Sequence, residues 1–201
     1  METLPRRMAL DLAAGGSYDS VNGPGPRAGD AMEIKDYIRD VPDFPRPGIL
    51  FRDITPLLKD PAVFRHVIDR FAKHYSDRPI DAIMGIEARG FLFAAPLAFQ
   101  LEKPLIPARK EGKLPFRTQS VRYALEYGDS AVEVHTDAII PGQQVLIVDD
   151  LLATGGTLAA TARLVEMAGG VVAGIAVIIE LSELEGRRQL PGYDVYSLIT
   201  Y

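Results

Sequence analysis

The residues of this chain best suited to chemistry lie in one run, Val145-Leu146-Ile147-Val148-Asp149-Asp150-Leu151-Leu152-Ala153-Thr154-Gly155-Gly156-Thr157. Two adjacent carboxylates are followed by a turn rich in hydroxyls and glycine. Backbone N–H groups at the start of a helix are unpaired donors on the positive end of its dipole, and they bind phosphate. Gly155 and Gly156 let that backbone approach closely, because no Cβ intrudes. Thr154 and Thr157 add hydroxyl donors. Asp149 and Asp150 repel phosphate, so they need another partner. They suit the hydroxyl donors of a sugar and can take part in holding a magnesium ion. Phosphate at one end and a diol at the other describes a ribose 5-phosphate.

Flanking elements must hold these groups in place. Val145 to Val148 is a short β-branched, apolar run, the pattern of a strand buried on both faces, and the aspartates are expected where it ends. After the turn, Leu158, Ala162, Leu164, Val165 and Met167 recur at helical spacing, and Gly169-Gly170 is a natural stop. Ile80 to Ile86 reads as a second buried strand, with Glu87-Ala88-Arg89-Gly90 as its exit turn and Phe91 to Leu101 as an apolar helix. Ligands of open α/β sheets sit beyond the carboxyl ends of strands, and Arg89 falls at such an end. A guanidinium there is suited to bidentate phosphate recognition.

Composition limits the function classes. With 201 residues, 47% hydrophobic and 24% charged, the chain can bury one substantial core. A net charge of -5 without a long basic run argues against nucleic acid as a partner. There is no cysteine, which excludes disulfides, zinc-thiolate sites and a cysteine nucleophile. His66, His74 and His135 are scattered without metal-ligand spacing, and His66 and His74, eight positions apart in one predicted helix, read as surface or packing residues. No apolar run approaches the ~20 residues that span a membrane. Asp11 interrupts the short apolar patch near the start, so no signal peptide is expected and the expected location is cytoplasmic.

Residues 1–30 carry Gly15-Gly16-Ser17 and Gly23-Pro24-Gly25-Pro26 and few large apolar side chains. They read as a flexible extension, with a single domain over 31–201. Ile34, Tyr37 and Ile38 fall on one face of a short helix. Pro42, Pro45 and Pro47 make 42–48 a stiff loop. Asp60-Pro61 is an N-cap followed by proline at the first helical position, and Val63, Phe64, Val67, Ile68, Phe71 and Tyr75 trace an amphipathic helix. Leu105 to Ala108 is a short strand leading into Arg109-Lys110-Glu111-Gly112-Lys113-Leu114-Pro115, the most basic stretch. Residues 109–130 carry little apolar periodicity and read as a mobile active-site lid, with a solvated hairpin as the alternative. Ala131 to His135 alternates as a strand, Val171 to Leu181 is another buried strand, and Tyr196 to Ile199 is an edge strand or a cap near the carboxyl end. Strands alternating with helices predict an α/β fold, a mostly parallel sheet with helices on both faces.

The thirteen-residue run resembles the phosphoribosyl pyrophosphate signature of the type I phosphoribosyltransferases. Phe44-Pro45-Arg46-Pro47-Gly48-Ile49-Leu50-Phe51-Arg52-Asp53-Ile54, Glu87-Ala88-Arg89-Gly90-Phe91, Arg109 to Pro115 and Leu125-Glu126-Tyr127-Gly128 resemble the adenine phosphoribosyltransferase family, in its order and spacing, over roughly 33–201. The resemblance implies the type I fold with a small N-terminal hood and a mobile lid, and a homodimer. It also implies the reaction adenine + 5-phospho-α-D-ribose 1-diphosphate → AMP + diphosphate, with Mg2+ bound alongside the phosphoribosyl pyrophosphate. By the same resemblance, Ala153, Thr154, Gly155, Gly156 and Thr157 hold the 5′-phosphate, and Asp149 and Asp150 face the ribose hydroxyls. Arg89, Lys110 and Lys113 handle pyrophosphate, with Arg109 at a position that in relatives can reach a neighbouring subunit's site. Leu50 and Arg52 belong to the adenine pocket, where backbone groups read the base edge. Glu126 is the lid carboxylate that exchanges a proton with the purine, with Tyr127 beside it. Glu87-Ala88 matches a dipeptide that can be cis.

No side chain looks like a covalent nucleophile, so direct displacement assisted by positioning and electrostatics is expected. Arg89, Lys113 and Glu126 are the expected catalytic residues. Two other readings fit the central run: a phosphoribosyltransferase for another purine or orotate, and a non-catalytic regulator that senses phosphoribosyl pyrophosphate. The Phe-Pro-x-Pro-Gly segment argues against the first, and the acidic balance against the second.

Overall fold

The computed structural model describes residues 32–125 and 128–201. In chain order the elements are β1 (Arg39–Pro42), β2 (Leu50–Asp53), α1 (Thr55–Lys59), α2 (Pro61–Tyr75), β3 (Ala82–Ile86), α3 (Phe91–Gln100), β4 (Leu105–Lys110), β5 (Thr118–Leu125), β6 (Gly128–His135), β7 (Gln144–Leu152), α4 (Gly156–Met167), β8 (Val171–Glu180) and β9 (Val195–Thr200). The main sheet has the order β5-β6-β4-β3-β7-β8-β9. Strands β4, β3, β7, β8 and β9 run parallel, and β6 pairs antiparallel with both β4 and β5.

This order follows from the apolar runs and the handedness of crossovers. Every residue of β3 is buried, and so are Val145 to Val148 of β7, as a central strand covered on both faces requires. After β3 the chain adds β4 on one side; after β7 it adds β8 on the other. Right-handed crossovers in opposite directions put their helices on opposite faces. Ala82, Met84 and Ile86 accordingly pack with Val145, Ile147, Leu158, Ala162 and Val165 on the α4 side. On the other face, a Cβ on Gly85 would lie 2.6 Å from Ala94 Cβ of α3. The carboxyl ends of β3 and β7 therefore meet side by side where the order reverses, the crevice in which such sheets bind ligands.

The α2 helix is fixed at both ends. Asp60 Oδ1 accepts from the N–H groups of Ala62 (2.9 Å) and Val63 (3.2 Å), a cap that stabilises by about 1 kcal/mol. At its far end Tyr75, fully enclosed, donates its hydroxyl to Ile175 O at 3.3 Å. Burial pushes that phenol well above its usual range.

Several expectations need correction. Residues 34–37 form a single 3-10 turn, with Ile34 and Ile38 buried. The proline-rich segment is a loop, as expected, but it is the turn of a hairpin, β1 against β2, with the Phe44–Pro45 bond cis and Pro42 inside β1. Pro42 ends β1, where its missing N–H breaks no central ladder. Arg39 and Asp53, cross-strand partners, form an ion pair at 2.6 Å. Residues 109–130 do not form one long irregular lid. Beyond a short basic loop, Thr118 to Leu125 pairs residue for residue with β6. Burial of Val121 against Val132 and Val134 explains the pairing, and a single-strand reading of local periodicity could not reveal a partner that comes later in the chain. Finally, Asp149 and Asp150 do not terminate their strand. Pairing of β7 with β8 continues through Asp149–Val177 and Leu151–Ile179 to Leu152–Glu180.

Candidate active site

The site grows from the ends of β3 and β7. Leaving β3, the chain makes the turn Glu87-Ala88-Arg89-Gly90, whose Glu87–Ala88 bond is cis. Leaving β7, it makes Ala153-Thr154-Gly155 and enters α4. Between the two lies a cavity of about 310 Å³ lined by Glu87, Arg89, Lys110, Tyr123, Asp149, Asp150 and Thr157, among others. Beside it a second hollow of about 230 Å³ is lined by Arg89, the two aspartates and Ala153 to Leu158.

The turn into α4 has the form a phosphate cradle needs. Gly155 is the N-cap residue, with φ +86°, and no side chain caps the helix. Its first N–H groups therefore keep their donors for a ligand at the positive end of the dipole. A Cβ on Gly155 would sit 2.3 Å from Gly186 O, so glycine is required there for both backbone angle and space. Thr157 donates its hydroxyl to Tyr123 Oη at 3.1 Å, which joins this turn to β5.

Arg89 and Asp150 face one another, Nη2 to Oδ2, at 2.8 Å. The distance is that of an ion pair, but the angles are not those of a hydrogen bond. Asp150 Oδ2 and Arg89 Nη1 are both buried without a hydrogen-bond partner. Each such group costs about 1–3 kcal/mol, so the pair is built for a polar ligand that completes it. Asp150 is 4% exposed. Burial raises the carboxyl of Asp149 well above the ordinary range, and the charge of Asp150 adds to the shift. Burial also raises Asp150, against the opposing pull of Arg89. Asp149 Oδ1 accepts from the N–H of Asp150 at 2.9 Å.

The basic loop is held from beneath by two carboxylates. Glu87 accepts from Arg109 Nη2 (3.0 Å), Arg109 Nε (3.2 Å) and the Lys110 N–H (3.0 Å). The Arg109 hydrogen bond is the main reason its carboxyl lies below the usual range. Glu133 Oε1, in β6 and almost wholly enclosed, accepts from the N–H groups of Lys113 and Leu114, each at 3.0 Å. Lys110 lines the cavity, and both Lys110 and Lys113 are exposed. Arg109 differs: besides Glu87 it donates to Lys113 O at 2.9 Å, so its guanidinium is engaged within the chain.

The β1–β2 hairpin supplies an apolar cluster. Leu50 is 45% exposed, and Phe44 meets Phe51 edge to face at 5.1 Å. The Arg89 guanidinium lies 5.0 Å from the Phe51 ring, which ties the hairpin to the cavity. Arg52 stacks on the Tyr201 ring at 3.7 Å and pairs with Asp40, so its side chain holds the hairpin in place. Glu126 and Tyr127 lie outside the described residues.

Sequence reasoning named Arg89, the aspartates and the α4 turn, and these stand together. It did not single out Tyr123, Phe51, Glu133 or Gly186. Tyr123 shares its strand parity with buried Val121, which was the available signal. The others depend on partners distant in sequence. Among the described residues no cluster of three metal-ligating side chains occurs. None of the described helices is long and apolar enough to cross a membrane.

The phosphoribosyl transferase domain family matches residues 53–199. The adenine phosphoribosyltransferase of Kosmotoga olearia is 56% identical over 170 residues, covering 85% of this chain and all of that protein. The crystal structure of adenine phosphoribosyltransferase from Thermoanaerobacter pseudethanolicus superposes with a TM-score of 0.82 at 54% identity, covering 84% of this chain and 98% of that one. The Saccharomyces cerevisiae adenine phosphoribosyltransferase, solved with an imino-altritol bisphosphate and adenine, gives a TM-score of 0.79 at 38% identity, covering 83% and 96%.

Proposed function

We infer the working of this site from one premise: the chain belongs to the phosphoribosyl transferase domain family and, within it, to the adenine phosphoribosyltransferases. Its reaction joins adenine to 5-phospho-α-D-ribose 1-diphosphate and yields AMP and diphosphate. One observation carries the assignment of roles: the Arg89–Asp150 ion pair, whose Nη1 and Oδ2 are buried without hydrogen-bond partners, stands beside the uncapped start of α4.

The N–H groups and hydroxyls of Ala153 to Thr157 hold the 5′-phosphate. Asp149 and Asp150 accept from the ribose hydroxyls, which gives the buried Oδ2 of Asp150 the hydrogen-bond donor it lacks. Arg89, with its open Nη1, takes the pyrophosphate together with Lys110 and Lys113, while Arg109 shapes the loop that carries the two lysines. The hairpin segment Leu50 to Arg52 forms the adenine pocket, its backbone reading the base edge and Phe51 covering the face. In the displacement, a ring nitrogen of adenine forms its bond to C1′. The C1′–O bond to pyrophosphate breaks, and the leaving oxygen keeps the electron pair. The proton shed by the base passes to Glu126. Arg89 and Lys113 stabilise the charge gathering on the leaving group, and the aspartates steady the ribose as positive charge builds at C1′.

Two neighbouring carboxylates without a full ligand cage fit magnesium that arrives on its substrate, since this ion keeps waters and binds through one or two carboxylates plus phosphates. When bound, it supplies neutralisation of the pyrophosphate oxygens. The catalytic domain is assigned to residues 31–201, with 1–30 outside it, supported by the family match within that range. A homodimer is supported by the apolar outer face of α3, where Leu92, Ala95 and Phe99 recur exposed at helical spacing. A cytoplasmic setting suits a chain without cysteine, whose fold needs no oxidising compartment.

The test is an end-point assay with phosphoribosyl pyrophosphate, magnesium and, separately, adenine, hypoxanthine, guanine, xanthine or orotate. AMP from adenine alone is the expected result. Product from another base instead overturns the base assignment, and none from any base overturns the catalytic reading.

A further inference from the structure

The segment between β8 and β9 passes directly behind the phosphate turn. Two backbones touch there from both sides. A Cβ on Gly155 would lie 2.3 Å from Gly186 O, and a Cβ on Gly186 would lie 2.1 Å from Ala153 O and 2.7 Å from Leu152 Cδ1. With no side chain between them, a displacement of Gly186 is passed straight to Ala153 and Gly155.

The next residue fixes Gly186 to the sheet. Arg187 donates through Nε to Glu180 Oε1 at 2.6 Å and through Nη2 to Glu180 Oε2 at 2.7 Å, a two-pronged pair. Its Nη1 donates to Val195 O at 3.0 Å. Ser197 completes the group, donating its hydroxyl to Glu180 Oε2 at 2.7 Å. Glu180 is the last residue of β8, almost enclosed, and it pairs in register with Leu152, the residue before Ala153. Arg187 thus closes a ring that runs from the end of β7 through β8 and back to the turn. It lines neither of the two hollows at the site.

We propose that Arg187, anchored on Glu180, is a positioning residue for the 5′-phosphate turn, and that it acts by holding Gly186 against Ala153 and Gly155. The inference rests on the reading of Ala153 to Thr157 as the phosphate cradle. It assigns specificity to one half of the reaction: the sugar phosphate depends on Arg187, and the base does not.

The test compares full-length wild type with Arg187→Met and Arg187→Lys. Ribose 5-phosphate is titrated by calorimetry, and KM is measured for each substrate. In Arg187→Met, ribose 5-phosphate affinity and kcat/KM for phosphoribosyl pyrophosphate are expected to fall about ten- to hundredfold, as for a displacement of up to 1 Å. KM for adenine should stay within about twofold, and Arg187→Lys, which keeps charge but loses the fork, should fall between. A purely structural residue lowers thermal stability without separating the two substrates. Should Arg187→Met fail to fold, Arg187→Lys carries the same comparison. Unchanged ribose 5-phosphate affinity in a folded variant, or equal losses for both substrates, overturns the proposal. If the wild type itself does not bind ribose 5-phosphate, the cradle reading falls first and this inference falls with it.

Discussion

Gly155→Ala tests the phosphate turn most directly. At φ +86° an L side chain costs about 1–2 kcal/mol. The new methyl group would also start 2.3 Å from Gly186 O, where ordinary contact begins near 3.4 Å. Something must move by about 1 Å, and overpacking of this kind costs a further 1–3 kcal/mol or so. The sum, roughly 2–5 kcal/mol, corresponds to a fall in Tm of about 10 °C for a chain of this size. The displaced turn should lower kcat/KM for phosphoribosyl pyrophosphate about hundredfold. Gly142→Ala is the control. Its φ of +84° imposes the same backbone strain, but nothing lies within 4 Å of the added Cβ. It should lose about 1–2 kcal/mol and leave the kinetics unchanged. Thermal melts and steady-state kinetics on both variants decide the matter. Equal stability losses in the two, with substrate kinetics intact in Gly155→Ala, would refute the close-approach argument.

Three further outcomes are expected. Asp149→Asn should raise Tm without ligand at pH 7–8 while weakening ribose 5-phosphate binding. The folded carboxyl is raised above its unfolded value, so its favourable contribution is complete below the ordinary carboxylate range and is lost as pH rises through the raised value. The Tm gain should therefore shrink toward pH 4, and a gain independent of pH counts against a buried charge as its cause. Phe51→Ala should raise KM for adenine about tenfold, the value of one lost base stack, with phosphoribosyl pyrophosphate little changed; an unchanged adenine KM would take the ring out of the pocket. Glu126→Ala should lower kcat by about 100-fold or more while phosphoribosyl pyrophosphate binding holds, and equal losses in turnover and binding would remove its proton-transfer role.

Much of this protein is written locally. Val145 to Val148 and Ala82 to Ile86 are runs without a charged or polar side chain because both faces of a central parallel strand are covered, and a covered strand has no polar alternation to confuse the reading. The Asp60 cap and the helical spacing of Val63 to Tyr75 are contained within one element. So is the Thr-Gly-Gly-Thr turn, whose chemistry depends on its own backbone and the dipole of the helix it starts. Tertiary structure alone decided what stands beside what. Residues 118–125 became a strand because Val132 and Val134 offered a partner, which no window within 109–130 contains. Arg89 meets Asp150, distant in the chain, because opposed right-handed crossovers set β3 beside β7, so the turn that leaves β3 after Ile86 lies against the last residues of the longer β7. Gly155 must be glycine because Gly186 passes behind it, and Gly186 is held there by an ion pair whose other half ends β8. Sequence reports propensities that each segment carries alone, whereas these contacts arise only when strand order brings distant backbones within van der Waals reach.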